Sequence, residues 1–270
     1  MKHVKLFSLA ICFFLLSGFS TTLKIGWITA PKFDQNAKAY EHLIREIKEE
    51  KVAFLIIGGN IGDHHCTKKW VEKLQKDAKC DIYFILGHRD FYKGSIAGVR
   101  KEIADFANKN EALYYLPSHE TIELTEKTAL VGMDGLADTY TGSLSWIKPK
   151  LNQITEFASL DGKKTLAFLK DNGKQEAQKL KRKLRTAFKT HQSVILVLET
   201  LPFIVETKQE PFFQCKEIGA MLMKMMEEHP KKKLLVLCSH PLKSQEFFPL
   251  ENLRVKVHLQ KPKQSVLFIE

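Results

Sequence analysis

IYFILGHRDFYKGS, residues 82–95, opens on a short apolar run, Ile82 to Leu86, that stops at Gly87. The polar turn His88-Arg89-Asp90 follows, then an aromatic pair and a second glycine. A strand this uniformly apolar is expected where both faces of a parallel sheet are covered. The glycine permits a sharp backbone turn. The side chains after it are then presented at the carboxyl end of the sheet, where open α/β folds gather their ligands.

The same grammar recurs along the chain. Leu23–Thr29 reads as a first strand, and Ala37–Glu50 as a helix with Tyr40, Leu43, Ile44 and Ile47 on one face. Val52–Ile57 is a second buried strand ending in Gly58-Gly59-Asn60, and Thr67–Ala78 a helix with Trp70, Val71 and Leu74 inward. After the organising strand come a helix over Ile96–Asn108 and short strands at Leu113–Leu116, Thr121–Leu124 and Thr128–Val131. Gly132–Asp138 reads as a loop, and Lys163–Lys189 as one amphipathic helix with its lysines outward. Val194–Leu198 and Leu234–Cys238 are strongly apolar strands with a helix, Phe213–Glu228, between them; its methionines, Met221, Met223, Met225 and Met226, read as core. Val255–Leu259 and Ser265–Ile269 close the chain. Alternating strands and helices argue for a layered α/β fold, and the crowded late strands for a second sheet. No linker stands out, so residues 23–270 read as one domain.

The chain has 270 residues, 44% of them hydrophobic and 27% charged, which suits a globular protein with a sizeable core. The formal net charge is +11, much of it in Lys163–Lys189. That balance fits either a solvated basic surface or an anionic partner. No zinc-finger spacing or RNA-binding signature accompanies it, so nucleic acid is unsupported.

Residues 1–22 read as a targeting segment: Lys2, His3 and Lys5 precede the apolar run Leu6–Phe19, and Gly18 and Ser20 are the small residues before a cut at Thr21. An uncleaved anchor or a first core helix is the alternative. A cleaved signal implies an exported, periplasmic or secreted protein with no membrane span left in it. Four cysteines then remain, Cys66, Cys80, Cys215 and Cys238, whose pairing the sequence does not give. Cys80 and Cys238 border apolar strands, the usual place of a free buried thiol.

Six stretches, each at a strand end, resemble in order the motifs of the calcineurin-like metallophosphoesterases: LKIGWITAPKFD, FLIIGGNIGD, IYFILGHRDFYKGS, TALVGMDGLAD, ILVLETLPF and LLVLCSHPLKS. The resemblance implies a layered α/β/β/α sandwich, two packed sheets flanked by helices, and a site holding two metals. Such metals polarise a phosphate and generate a hydroxide. The family's DxH is replaced here by Ala30 and Lys32, its bridging Asp by Asn60, and the second His of its GHTH by Leu242. At the second metal's positions stand Asn60, His88, Glu199 and His240, a set that could hold one divalent metal, zinc, manganese or iron.

Arg89 replaces the His that, in the family, pairs with the Asp at position 90 and protonates the leaving group. An arginine stays protonated and cannot be a general acid. Lys32 and Arg89 therefore read either as an anion grip standing in for metal charge, or as a surface lysine and an Arg89–Asp90 salt bridge. The resemblance with these substitutions implies a non-catalytic protein that binds a phosphate-bearing small molecule or serves as a scaffold for a protein partner. A hydrolase with one remodelled metal site is the alternative. Asp63-His64-His65-Cys66 reads as surface loop, and Asp134 and Asp138 as braces of their loop.

Overall fold

A computed structural model describes residues 24–136, 138–140, 144–203, 213–240, 244–259 and 267–269. The expected targeting segment lies outside them. The elements run in chain order β1 (Ile25–Ile28), α1 (Ala37–Glu49), β2 (Phe54–Gly58), α2 (His64–Ala78), β3 (Asp81–Ile85), α3 (Ile96–Ala107), β4 (Leu113–Tyr115), β5 (Ile122–Thr125) and β6 (Thr128–Met133). Then follow β7 (Thr139–Tyr140), α4 (Leu144–Leu151), α5 (Thr155–Ala158), α6 (Gly162–Thr190), β8 (Ser193–Leu198), β9 (Phe213–Gln214), α7 (Lys216–Glu228), β10 (Lys233–His240), β11 (Gln245–Leu250), β12 (Leu253–Leu259) and β13 (Leu267–Ile269).

One sheet has the order β13-β1-β2-β3-β4, parallel from β1 to β4 with β13 antiparallel at its edge. The other has the order β11-β12-β10-β8-β6-β5, parallel through its middle. The period-2 alternation of strands sorts side chains to opposite faces. From the first sheet, Ile25, Trp27, Phe54, Ile56, Tyr83 and Ile85 meet Leu130, Ile195, Val197 and Leu237 of the second. The residues between them, Leu55, Ile57, Ile82 and Phe84, pack instead under α1, α2 and α3, against Leu43, Ile47, Val71, Leu74, Val99 and Ile103. On the far side Val194, Leu196, Val236 and Cys238 pack under α6 and α7. Two sheets face to face between helical layers form an α/β/β/α sandwich, and covering both faces explains why β2, β3, β8 and β10 read as unbroken apolar runs.

Several boundaries move. α2 starts at His64, so Asp63 stands at its N-cap and the histidines occupy its first turn rather than a loop. β6 runs on to Met133. Phe213 and Gln214 form a short strand with β7 instead of starting a helix. The helix begins later because the Asp138 carboxylate accepts from Lys216 N and Glu217 N, each at 2.9 Å, fixing its first turn. Lys183 departs from the outward lysines of α6: its ammonium, buried, donates to the carbonyls of Leu116, Pro117 and His119, and burial pushes its pKa down to about 8. The four described cysteines are free thiols. No helix among the described residues is long and apolar enough to cross a membrane.

Candidate functional site at the strand ends

The loops after β1 and β2 run side by side beyond the sheet. Ala30 N donates to Gly59 O (3.0 Å), Lys32 N to Asn60 O (3.1 Å) and Phe33 N to Ile61 O (2.9 Å). This path forces left-handed backbone at Ala30 (φ 43), Lys32 (φ 45) and Asn60 (φ 54), a region L-residues enter at a cost and most often at functional sites. Gly59 is also left-handed (φ 80), and a Cβ on it would lie 2.7 Å from Gly87 N. The two glycines thus let the loops after β2 and β3 touch backbone to backbone.

Asp90 locks that contact. It is fully buried; Oδ1 accepts from Ile61 N (2.9 Å), Gly62 N (3.1 Å) and Thr67 Oγ1 (2.7 Å), and Oδ2 from Gly87 N (2.8 Å). Burial nevertheless pushes its pKa up to about 6. The Arg89–Asp90 pair considered from the sequence does not form. Successive residues of a tight 3₁₀ turn point about 120° apart, so Asp90 faces inward while Arg89 faces the mouth. There the Arg89 guanidinium pairs with Asp34. The Gln35 amide, turned so that its oxygen faces these donors, accepts from the same group at 2.9 and 3.2 Å.

Asn60 sits at the centre. Its Nδ2 donates to Glu199 Oε1 at 2.6 Å, and its Oδ1 accepts from Arg89 N at 3.0 Å. The partners dictate that orientation, since the reverse would set oxygen against carboxylate and N–H against N–H. Glu199 Oε1 also meets His88 Nδ1 at 3.0 Å. Glu199 is 5% exposed, and its second oxygen is buried without a hydrogen-bond partner among the described residues. Ser239 Oγ donates to the Glu199 carbonyl at 2.8 Å, tying the end of β10 to the end of β8. Lys32 is half-buried and makes no side-chain hydrogen bond among the described residues. Burial, then Arg89 and Lys150, lower its pKa, partly opposed by Glu199 and Asp34.

Of the residues chosen from the sequence, Ala30, Lys32, Asn60, His88, Arg89 and Glu199 thus meet at one edge. His240 ends β10 at the same edge, opposite Leu259, but its side chain lies outside the described residues, as does Leu242. Among the described residues no group of three or more His, Cys, Asp or Glu side chains is placed to hold a metal. His64 pairs with Glu102, and Asp63 with Lys93, rather than with these residues. Asp134 is buried behind it, accepting from Leu86 N (2.7 Å), Arg100 Nε (3.0 Å) and Tyr115 OH. Asp34 and Tyr92 escaped the sequence reading. Tyr92 lies under the mouth, its ring 5.9 Å from both the His88 ring and the Arg89 guanidinium. The aromatic pair after the turn was its only signal, and Asp34 had none beyond standing two residues from Lys32.

No protein-family profile matches the chain, and no curated protein sequence matches it. Solved structures do. The chain is similar to a dimetal phosphatase from Danio rerio, at 12% identity and a TM-score of 0.56 over 90% of each chain. It is similar to TT1561 of Thermus thermophilus at 14% identity and 0.54, over 88% of this chain and 89% of that one. A phosphopantetheinyl hydrolase from Mycobacterium tuberculosis follows at 9% identity and 0.50, over 87% and 89%. At such identities the likeness is one of fold: the chain has a metallophosphoesterase-type architecture.

Proposed function

We propose that this metallophosphoesterase-fold protein is non-catalytic and that its remodelled pocket binds an anion, a phosphate-bearing small molecule or a partner's phosphate. The observation that carries the reading is the direction of the Asn60 amide. Its oxygen is spent on Arg89 N and its N–H on Glu199, so the position that would bridge two metals presents a donor. Ala30 has no ligating atom, and the Lys32 ammonium opposes a cation. The set does not fit a dinuclear centre, so no hydrolytic step is derived through one. Arg89 supplies no proton to a leaving group, because a guanidinium paired with a carboxylate stays charged. Among the described residues Lys32 is the cation of this mouth without a hydrogen-bond partner, because Asp34 already holds Arg89.

One observation favours the alternative, a hydrolase using a single metal. The unpartnered Glu199 Oε2 is an open carboxylate lone pair beside His88. Metal analysis of the purified protein separates the two, with phosphoester turnover measured with and without manganese in wild type and in a His88→Ala, His240→Ala variant. The non-catalytic reading expects substoichiometric metal and background turnover, with orthophosphate raising the melting temperature. Stoichiometric metal and turnover that vanishes in the variant would overturn it.

A further inference from the structure

The helix α6, Gly162–Thr190, carries ten basic residues against two acidic ones. Its buried side packs on the second sheet through Ala177, Leu180, Leu184, Ala187 and Phe188. Along one flank of that side Lys163, Lys170, Lys174, Lys181 and Arg185 recur at spacings of seven, four, seven and four. At 3.6 residues per turn this keeps them within about 60° of one another, along a straight line of about 33 Å. All but the half-buried Lys181 are exposed, and none of the five makes a hydrogen bond or ion pair through its side chain among the described residues. The nearby carboxylates are engaged elsewhere: Asp161 caps the helix through Lys164 N, Asp171 takes Gln175, and Glu176 is buried on Arg100.

Like charges set in a rigid row repel one another. Among the described residues Asp171, held only by the neutral Gln175 amide, is the one exposed acidic side chain of the helix, so the exposed surface of α6 stays strongly basic and is complementary to an extended anionic partner. Two features choose the partner. The row runs straight along one helix, so a flat surface can meet it along its length, and the exposed part of that helix has no aromatic side chain on which a nucleobase could stack. Beside Lys163 and Lys170 stands Leu166, 45% exposed and one of two exposed large hydrophobic side chains among the described residues. An aliphatic group among lysines suits the headgroup boundary of a bilayer and has no use against a phosphate backbone.

We propose that this stripe docks the protein onto the surface of an anionic lipid bilayer. The contact is peripheral, since the apolar side of α6 is already buried in the core. It stands apart from the pocket, and either can fail without the other.

The test is co-sedimentation of the full chain with vesicles of phosphatidylcholine, alone or mixed with phosphatidylserine, at low and high salt. Neutral vesicles give the baseline set by the apolar Leu6–Phe19 run. The expected result is a salt-sensitive gain in binding on adding phosphatidylserine. Lys170→Glu, Lys174→Glu, Arg185→Glu in one chain should lower that gain at least about a hundredfold, given roughly fivefold for each basic residue lost near such a surface. A control with the same net charge, Lys69→Glu, Lys101→Glu, Lys109→Glu, should retain most of it. Circular dichroism and melting of both variants check that each is folded. Equal losses in the two variants, no dependence on phosphatidylserine, or stripe-dependent binding to duplex nucleic acid without vesicle binding would each overturn the proposal.

Discussion

Asn60 and Glu199 stand 139 positions apart in sequence and share a 2.6 Å hydrogen bond in which the amide is the donor. Both are buried, so the bond holds the end of the second sheet against the first. It also makes the pocket sensitive to one atom. Asn60→Asp exchanges the donor for a carboxylate facing a carboxylate, and burying such an uncompensated charge costs roughly 3 kcal/mol. Like charge would raise the new carboxyl's pKa above its unfolded value. The folded state then holds a proton that the unfolded state has released, so the variant loses stability as pH rises and regains it on acidification. Urea denaturation at pH 5 and 7.5 checks this; a variant as stable as wild type at both would refute the described geometry.

Asp90 gives a second pH signature. Its carboxyl is pushed up to about 6 by burial, although four donors surround it. A raised folded pKa means that this group's contribution to stability is present below the unfolded carboxylate range, near 4, and falls as pH rises through about 6. Asp90→Asn removes the titration. It also turns an N–H toward Gly87 N, leaving a buried donor unsatisfied at a cost of about 1–3 kcal/mol. Melting curves from pH 4 to 7 should show the variant lower throughout, with the gap narrowing as pH rises.

Behind the pocket, Arg100 bridges two buried carboxylates, Asp134 at 3.0 Å and Glu176 at 2.8 Å. Arg100→Met leaves both without their counter-ion, which should cost about 3–5 kcal/mol. Adding Glu176→Gln should recover part of this, because one buried charge is then gone. A double-mutant cycle by chemical denaturation measures the coupling, expected at 0.5 kcal/mol or more for groups in direct contact.

How far such features can be read from sequence depends on what sets them. Strands β2, β3, β8 and β10 are buried on both faces, so each announces itself as an apolar run. β11 escapes because its residues alternate between half-buried and exposed and include Pro249 at the sheet edge. α4 contains Pro149, which reads as a break. The start of α7 is fixed by Asp138, 78 positions before Lys216, beyond any local window. At the site, strand ends told which residues would gather. They did not tell which way the Asn60 amide would turn, or that Arg89 would choose Asp34 over its neighbour Asp90. Those outcomes follow from the twist of one short turn and from acceptors supplied by other loops.

The Arg89–Asp34 pair yields a prediction of opposite signs at one locus. Asp34 holds the guanidinium and its charge also acts on Lys32, so it opposes an incoming anion twice. Asp34→Asn should release Arg89 toward the pocket and remove a negative charge from its mouth, raising orthophosphate affinity about tenfold. Arg89→Leu removes a cation and leaves Asp34 unpaired beside Lys32, and should lower affinity by a similar factor. Lys32→Met should abolish binding, since it deletes the ammonium that has no hydrogen-bond partner among the described residues. Both charge effects should shrink as salt is raised, because the pair lies at the mouth, where screening reaches. Isothermal titration with orthophosphate at two salt concentrations measures all three variants. If the Asp34 and Arg89 variants shift affinity in the same direction, the pair serves only to fold the loop, and the anion, if bound, is held elsewhere.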